Sequence, residues 1–320
     1  MVNSFFPWIG GKKLMRDIIL ERFPLQYNKY IEVFGGAGWI LFAKEPEEFE
    51  VYNDANSNLT NMFYVVKNRP IAFLEELGFL PLNSKDEFEI LLDWHKRKDF
   101  TLPYYKEELD MAKHYIPPPQ YEEYKAIMNN KATMGDIKRA AIFYKLIRYS
   151  YAASGTSFNG QPINIAQTFQ SIWLANRRLN ENGVKSKDSL SLAEGKVGKG
   201  VIIQNKSFEA IIELYDNPLT FFYLDPPYYG TEKYYEAMFS KEQHYMLYEK
   251  LRNIKGYFML SYNDCDFIRD LYKEFNIECF ERLNSISQRY APGNTFRELI
   301  ITNYNPYERK NNKPKQLSLI

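Results

Sequence analysis

The chain has 320 residues, 41 Lys and Arg against 40 Asp and Glu, a formal net charge of +1, and 45% hydrophobic residues. That length buries a large core in one elaborated domain or two, and the near-neutral balance excludes a polycation, so a nucleic-acid partner needs positive charge gathered on one face. Cys265 and Cys279 make neither a disulfide framework nor a C-x-x-C site, and His95, His114 and His244 lie far apart, which argues against any metal centre; with no apolar signal core and no run near the roughly 20 apolar residues of a membrane span, cytoplasm is the expected setting.

Residues 1–24 place Trp8 and the pair Gly10-Gly11 ahead of Lys12-Lys13, which open a predicted helix with Leu14, Ile18 and Ile19 on its apolar side. A glycine pair before a helix, beside a tryptophan and a lysine, can receive an anionic or adenine-bearing ligand, or can be an ordinary helix entry. Tyr30-Ile31-Glu32-Val33-Phe34 is a short strand that runs into Gly35-Gly36-Ala37-Gly38 and then the apolar helix start Trp39-Ile40-Leu41-Phe42. Strand, glycine turn and helix form the first unit of a nucleotide-binding α/β fold. A second strand, Glu50 to Asp54, ends in an acid 18 residues past Gly36. Asp54 is placed either to hold ribose hydroxyls or to cap the helix that begins near Asn56. Neither G-x-G-x-x-G nor G-x-x-x-x-G-K-[ST] occurs, so an adenosine-containing cofactor without a pyrophosphate is the natural occupant.

From Asp54 to Asp225 there are 171 positions, far more than one or two α/β units use, and the excess marks an inserted domain. Helical patterns cover 56–78, 84–98 and 134–150, interrupted by Pro117-Pro118-Pro119. Arg148-Tyr149-Ser150-Tyr151 leads into the polar loop Ser154 to Gly160, which contains Asn159. Arg177, Arg178, Lys185, Lys187, Lys196 and Lys199 follow, either as solvated surface or as a phosphate-contacting group.

The core resumes at Val201-Ile202-Ile203, and Ser207-Phe208 opens a helix. Ser240-Lys-Glu-Gln243 is a capping box for a helix to about Arg252. Gly256 to Ser261 is another buried strand, Asp264 caps a helix to about Phe275, and strands near 277–282 and 297–303 enclose the loop 284–295 with Arg289 and Tyr290. The tail from Asn305 is polar.

The chemistry concentrates at Phe221-Phe222-Tyr223-Leu224-Asp225-Pro226-Pro227-Tyr228. The apolar run suits a parallel strand covered on both faces, and the prolines, having no N–H, end it at Asp225. Ligands of open α/β sheets bind at the carboxyl ends of strands, which places Asp225 and Tyr228 where a substrate lies. A carboxylate and a proline carbonyl are both acceptors, and together they can take the two hydrogens of an amino group; a tyrosine ring offers a stacking face. The site suits a planar ring with an exocyclic amine; the bland alternative is a proline turn with Tyr228 packed beneath it. Tyrosine-rich surface would suit base stacking as well, and the chain has 26 Tyr and 23 Phe.

Phe-Pro-Trp-Ile-Gly-Gly-Lys, Phe-Gly-Gly-Ala-Gly and Asp-Pro-Pro-Tyr, in that order, resemble the Dam-type (D12 class, α-group) adenine-N6 DNA methyltransferases, and Arg297 to Tyr304 is similar to the family's last strand. The resemblance implies a Rossmann-like class I methyltransferase sheet, with residues 1–69 and 200–305 forming the catalytic domain and 70–199 an inserted, mainly helical target-recognition domain. It implies S-adenosyl-L-methionine as methyl donor, S-adenosyl-L-homocysteine as product, and Trp8, Gly10, Gly11, Lys12, Phe34, Gly35, Gly36, Gly38, Asp54, Ser207, Phe208 and Asp225 as its contacts. Phe208 is equally placed to be core. Asp225, Pro226, Pro227 and Tyr228 would act on a flipped-out adenine, since its N6 is unreachable in a stacked duplex. Arg148, Tyr149, Asn159 and Arg289 would touch double-stranded DNA. A monomer is implied, of bacterial or phage origin, and a cognate restriction endonuclease stays open as a partner. Cytosine-N4 methylation, and a silent DNA-binding protein on the same fold, stand as alternatives.

Overall fold

Short apolar runs closed by glycine, proline or acids assemble into a seven-stranded sheet in the computed structural model of the chain, which describes residues 2–78, 84–97, 105–133, 137–160, 164–181, 200–230, 239–283 and 295–308. The strands are β1 (Lys29–Glu32), β2 (Phe49–Asn53), β3 (Ile202–Gln204), β4 (Thr220–Leu224), β5 (Tyr257–Asn263), β6 (Asn276–Leu283) and β7 (Thr295–Thr302), in the order β3-β2-β1-β4-β5-β7-β6. The first five run parallel, and β7 lies antiparallel to both β5 and β6. This is the sheet of the class I methyltransferase fold. Every residue of β4 is buried, as a strand covered on both faces requires. The chain leaves β1 toward β2 on one side and β4 toward β5 on the other. The carboxyl ends of β1 and β4 therefore flank the switch point where such sheets bind ligands.

Two compact units divide the chain: Met1–Asn3, Gly10–Asn56 and Arg178–Ile320 form one, and Ser4–Ile9 with Ser57–Arg177 the other. In the sheet unit, α1 (Arg16–Glu21) precedes β1 and α2 (Trp39–Ala43) follows it. The helical unit holds α3 (Ser57–Asn68), α4 (Pro70–Leu77), α5 (Lys85–Arg97), α6 (Tyr105–Tyr115), α7 (Gln120–Thr133), α8 (Ile137–Arg148) and most of α9 (Ile165–Asn180). The single helix expected over 56–78 is two, because Pro70 cannot continue α3 and instead starts α4. The helices α6 and α7 carry mixed charge on most turns and flank the triple proline, which hid their periodicity.

The centre of the helical unit is α8, buried on almost every side, against which α3, α4 and α5 pack. The buried face of α3, with Leu59, Met62, Phe63 and Val66, explains why residues 57–69 sort with the helices rather than with the sheet. Phe5 and Phe6 join the same core through Phe63 and Tyr144. At the other boundary, Arg178 lies in the sheet unit because its guanidinium grips Glu50 of β2 with two hydrogen bonds, at 2.7 and 2.8 Å.

Back in the sheet unit, α10 (Phe208–Tyr215), α11 (Lys241–Arg252) and α12 (Asp266–Leu271) pack on the core. The capping box at Ser240 and Gln243 is formed on both sides. Asp264 is not the cap of α12: Cys265 holds that position. The Asp264 carboxylate instead takes hydrogen bonds from Arg269 at 2.5 and 3.0 Å and pairs with Arg297 at 3.2 Å. The Arg269 hydrogen bonds hold it below the usual carboxylate range.

Candidate active site

The strand β4 ends at Leu224, and the next carboxylate is met by an ammonium. Lys12 Nζ lies 2.7 Å from Asp225 Oδ1 and donates to the Tyr228 hydroxyl at 2.6 Å and the Gly10 carbonyl at 3.3 Å. Lys12 is 4% exposed. This is why it does not open a helix: the turn that delivers it to Asp225 delays α1 to Arg16. Met15 and Ile19 form the buried side of that segment, whereas Leu14 is 61% exposed. Tyr228 is buried too, its ring stacked on Phe296 at 6.0 Å and near Tyr262 at 6.1 Å. A base that reaches this ring must displace part of that packing, so Tyr228 is less an open platform than the sequence suggests.

The glycine turn after β1 is tied to β2 group by group. Gly35 N–H donates to the Asn53 carbonyl at 2.8 Å, Gly36 N–H to Asp54 Oδ2 at 2.9 Å, and the Gly36 carbonyl accepts from the Tyr52 hydroxyl at 2.7 Å. Gly35 has no room for a side chain, because a Cβ there would enter the Tyr52 ring. Gly38, at φ 65°, begins α2 in the left-handed region that glycine tolerates best. Asn53 is 1% exposed and joins Val33 to Lys206 through its amide. Asp54 Oδ1 accepts from Asn56 N–H at 2.7 Å. Burial pushes the Asp54 carboxyl up to about 6, against the pull of the Gly36 and Asn56 N–H groups.

Phe34 is half-buried and Phe208 is 5% exposed; with Phe239 they form an aromatic trio, with centroids 5.6 to 5.8 Å apart. Ser207 caps α10, its hydroxyl accepting from Ala210 N–H. The donor set is acceptors for hydroxyls and apolar rings for a heterocycle, which fits a nucleoside bearing a sulfonium.

Glu32, a residue sequence reasoning passed over, closes β1 while only 2% exposed. Tyr30 donates to it at 2.8 Å. Burial raises its carboxyl to about 8, opposed by hydrogen bonds from Tyr30 and the Leu41 backbone and reinforced by the charge of Asp225. Its signal was available: a lone carboxylate in the apolar run from Tyr30 to Phe34.

Other expected contacts belong to the helical unit. Trp8 is half-buried and packs on Phe143 and Phe6. Tyr149 is 8% exposed and spends its ring in a small core with Phe88, Ile142 and Leu146, so it does not present a DNA-facing ring. Arg148 is half-buried, and the Asn159 N–H donates to the Tyr149 carbonyl. Arg289, Tyr290 and the lysines at 185, 187, 196 and 199 lie outside the described residues. Among the described residues no group of three or more His, Cys, Asp or Glu could hold a metal ion, and no helix is long and apolar enough to cross a membrane.

The Type II methyltransferase M1.LlaDCHI of Lactococcus lactis subsp. cremoris is 26% identical over 314 residues, 95% of this chain and 96% of its own. A DNA adenine methylase of Haemophilus influenzae is 35% identical over 74 residues, 23% of this chain and 26% of its own. The Type II methyltransferase M.CviBI of Paramecium bursaria Chlorella virus NC1A is 33% identical over 110 residues, 33% of this chain and 42% of its own. The family described as D12 class N6 adenine-specific DNA methyltransferase matches residues 8–286. With the glycine turn and the Asp225–Tyr228 turn both inside that span, the chain belongs to the D12 class of N6 adenine-specific DNA methyltransferases and methylates adenine in DNA.

Proposed function

We propose that the chain transfers the methyl group of S-adenosyl-L-methionine to N6 of an adenine flipped out of duplex DNA at one specific sequence. The observation that carries this is the pairing of Lys12 with Asp225 at the end of β4, beside the glycine turn that ends β1. When bound, S-adenosyl-L-methionine supplies a methyl group on a sulfonium, an electrophile that needs no covalent enzyme intermediate. Asp54 would hold its ribose, Phe34 and Phe208 its adenine, and Gly35, Gly36 and Gly38 allow its close approach. Gly10, Gly11 and Ser207 complete the proposed cofactor contacts of the sheet unit.

The target nitrogen is a poor nucleophile because its lone pair is delocalised into the purine. Asp225 and the Pro226 carbonyl accept its two hydrogens and free that lone pair. Pro227 stiffens the turn, and Lys12 balances the carboxylate's charge while Tyr228 holds Lys12 in place. Position and electrostatics supply the acceleration. Arg148, Asn159 and Arg289 are proposed DNA contacts, and the helical unit the reader of the target site. We infer a monomer working in the cytoplasm; the Type II names of two relatives support a cognate restriction endonuclease beside it.

The experiment is transfer of tritium from labelled S-adenosylmethionine to unmethylated genomic DNA, followed by nucleoside analysis. Label in N6-methyladenine is expected from wild type and none from Asp225→Ala. Label in N4-methylcytosine would keep the site and change the base. Near-normal turnover by Asp225→Ala would remove Asp225 from its assigned role.

A further inference from the structure

Pro226 and Pro227 carry no N–H and give the turn no ladder bonds of its own. The prolines fix their own φ angles and Lys12 ties Asp225 to Tyr228, but where the turn sits also depends on what holds its two ends. Upstream, β4 does so. Downstream the chain passes through Tyr228 to Tyr229, and there the neighbouring strand takes hold. Leu224 stands opposite Leu260 in the parallel register, and Asn263 closes the same strand three residues on. Asn263 Nδ2 donates to the Tyr229 carbonyl at 3.1 Å. The Tyr229 ring lies on Phe267 of α12 with centroids 4.3 Å apart, and meets His244 of α11 edge-on at 5.4 Å. His244 is fully buried, shares a hydrogen bond with the Tyr262 hydroxyl, and Tyr262 packs back toward Tyr228. Tyr229 is thus a post seated in β5, α11 and α12, and Gly230, at φ 81°, turns the chain away from it.

We propose that Asn263 is a positioning residue for methyl transfer, holding the Tyr229 carbonyl so that the Asp225–Tyr228 turn keeps the spacing the reacting amine needs. The proposal rests on Asp225 and Pro226 being the amine's acceptors. Asn263 touches no reacting atom; it acts through the backbone at Tyr229, three and four residues beyond Pro226 and Asp225. A misplacement of about 1 Å in such a turn costs on the order of 100-fold in rate. The glycine turn hangs from β1 and β2 instead, so the effect falls on the chemical step and leaves cofactor affinity alone.

The test compares wild type with Asn263→Asp, which keeps the shape and removes the donor, with Asn263→Ala, and with Phe267→Leu, which takes the ring from beneath Tyr229. Single-turnover methyl transfer, the KM for DNA, calorimetric binding of S-adenosylhomocysteine and thermal melting are measured for each. The expected result is a loss of about 10- to 100-fold in the single-turnover rate for both Asn263 variants, with KM and cofactor affinity within about threefold of wild type. Wild-type turnover in either folded Asn263 variant overturns the proposal, as does a rate loss matched by an equal loss of cofactor binding. Should both Asn263 variants fail to fold, Phe267→Leu decides: a slowed chemical step with normal cofactor binding supports the proposal, and an unchanged rate overturns it. Asp225→Ala serves as the control. If that variant is active, the assignment of the turn has failed; if it is dead while the Asn263 variants are normal, only Asn263 has.

Discussion

Glu32 offers a stability test whose sign and size both follow from its surroundings. Its carboxyl is buried between Tyr30, the Leu41 N–H, Lys44 and Asp225, and titrates at about 8 rather than 4.5. Because the folded value lies above the unfolded one, the folded protein binds the extra proton across that window. Stability is therefore greatest below pH 4.5 as far as this group is concerned, falls as pH rises, and carries the full penalty above about pH 8. The interval, at 1.36 kcal/mol for each pH unit, gives a ceiling of about 5 kcal/mol. Glu32→Gln copies the protonated shape and cannot ionise. Urea denaturation of both proteins from pH 5 to pH 9 should show Glu32→Gln gaining on wild type by about 2–5 kcal/mol as pH rises. Asp54, raised to about 6, contributes the same slope to both and cancels in the difference. Parallel stability curves would refute the burial argument.

Three further outcomes follow from single contacts. Gly35→Ala drives a Cβ into the Tyr52 ring, an overpacking cost of about 1–3 kcal/mol; S-adenosylhomocysteine binding measured by calorimetry should weaken correspondingly, and unchanged affinity would count against the glycine turn as cofactor cradle. Arg178→Ala strands Glu50, whose burial alone would raise its carboxyl but whose bonds to Arg178 and Lys44 hold it low. Lys44 itself is pulled down by burial, so the bidentate Arg178 is the firmer partner, and its loss should lower the urea-derived stability by about 3–5 kcal/mol. Tyr228→Phe removes the acceptor that Lys12 uses at 2.6 Å, a charged hydrogen bond of about 1.5–3 kcal/mol; steady-state assays should show a lower kcat with cofactor affinity intact, and a normal kcat would deny the hydroxyl its part in placing Lys12.

What could be read from the sequence was what local chemistry decides. The apolar run before Asp225, the glycine turn after Phe34 and the box at Ser240 each announce an element within eight residues or fewer, and the strand and cap they imply are present. Pro70 was equally local, and splitting the helix there needed only the missing N–H. The charged helices α6 and α7 escaped because their polar faces dilute the apolar period.

The geometry of the candidate site is different in kind. Lys12 and Tyr228 stand 216 positions apart in the chain, and Asn53 and Lys206 are 153 apart. Nothing in the composition of Trp-Ile-Gly-Gly-Lys says that its lysine stays out of the helix to meet the carboxylate of Asp225. A buried ammonium must find an anion or lose its charge, so once Lys12 is known to be 4% exposed, a carboxylate partner becomes a requirement. The same logic inverts the reading of Tyr149 and Tyr228. In sequence Tyr228 reads as a stacking ring and Tyr149 as a DNA contact, yet the fold takes both rings inward. Exposure, which decides whether a ring can receive a base, is a property of the packed chain. The residues proposed to act on the amine are legible because their chemistry is unusual; those proposed to hold them, Asn263 and Tyr229, are ordinary in type and become recognisable only by what they touch.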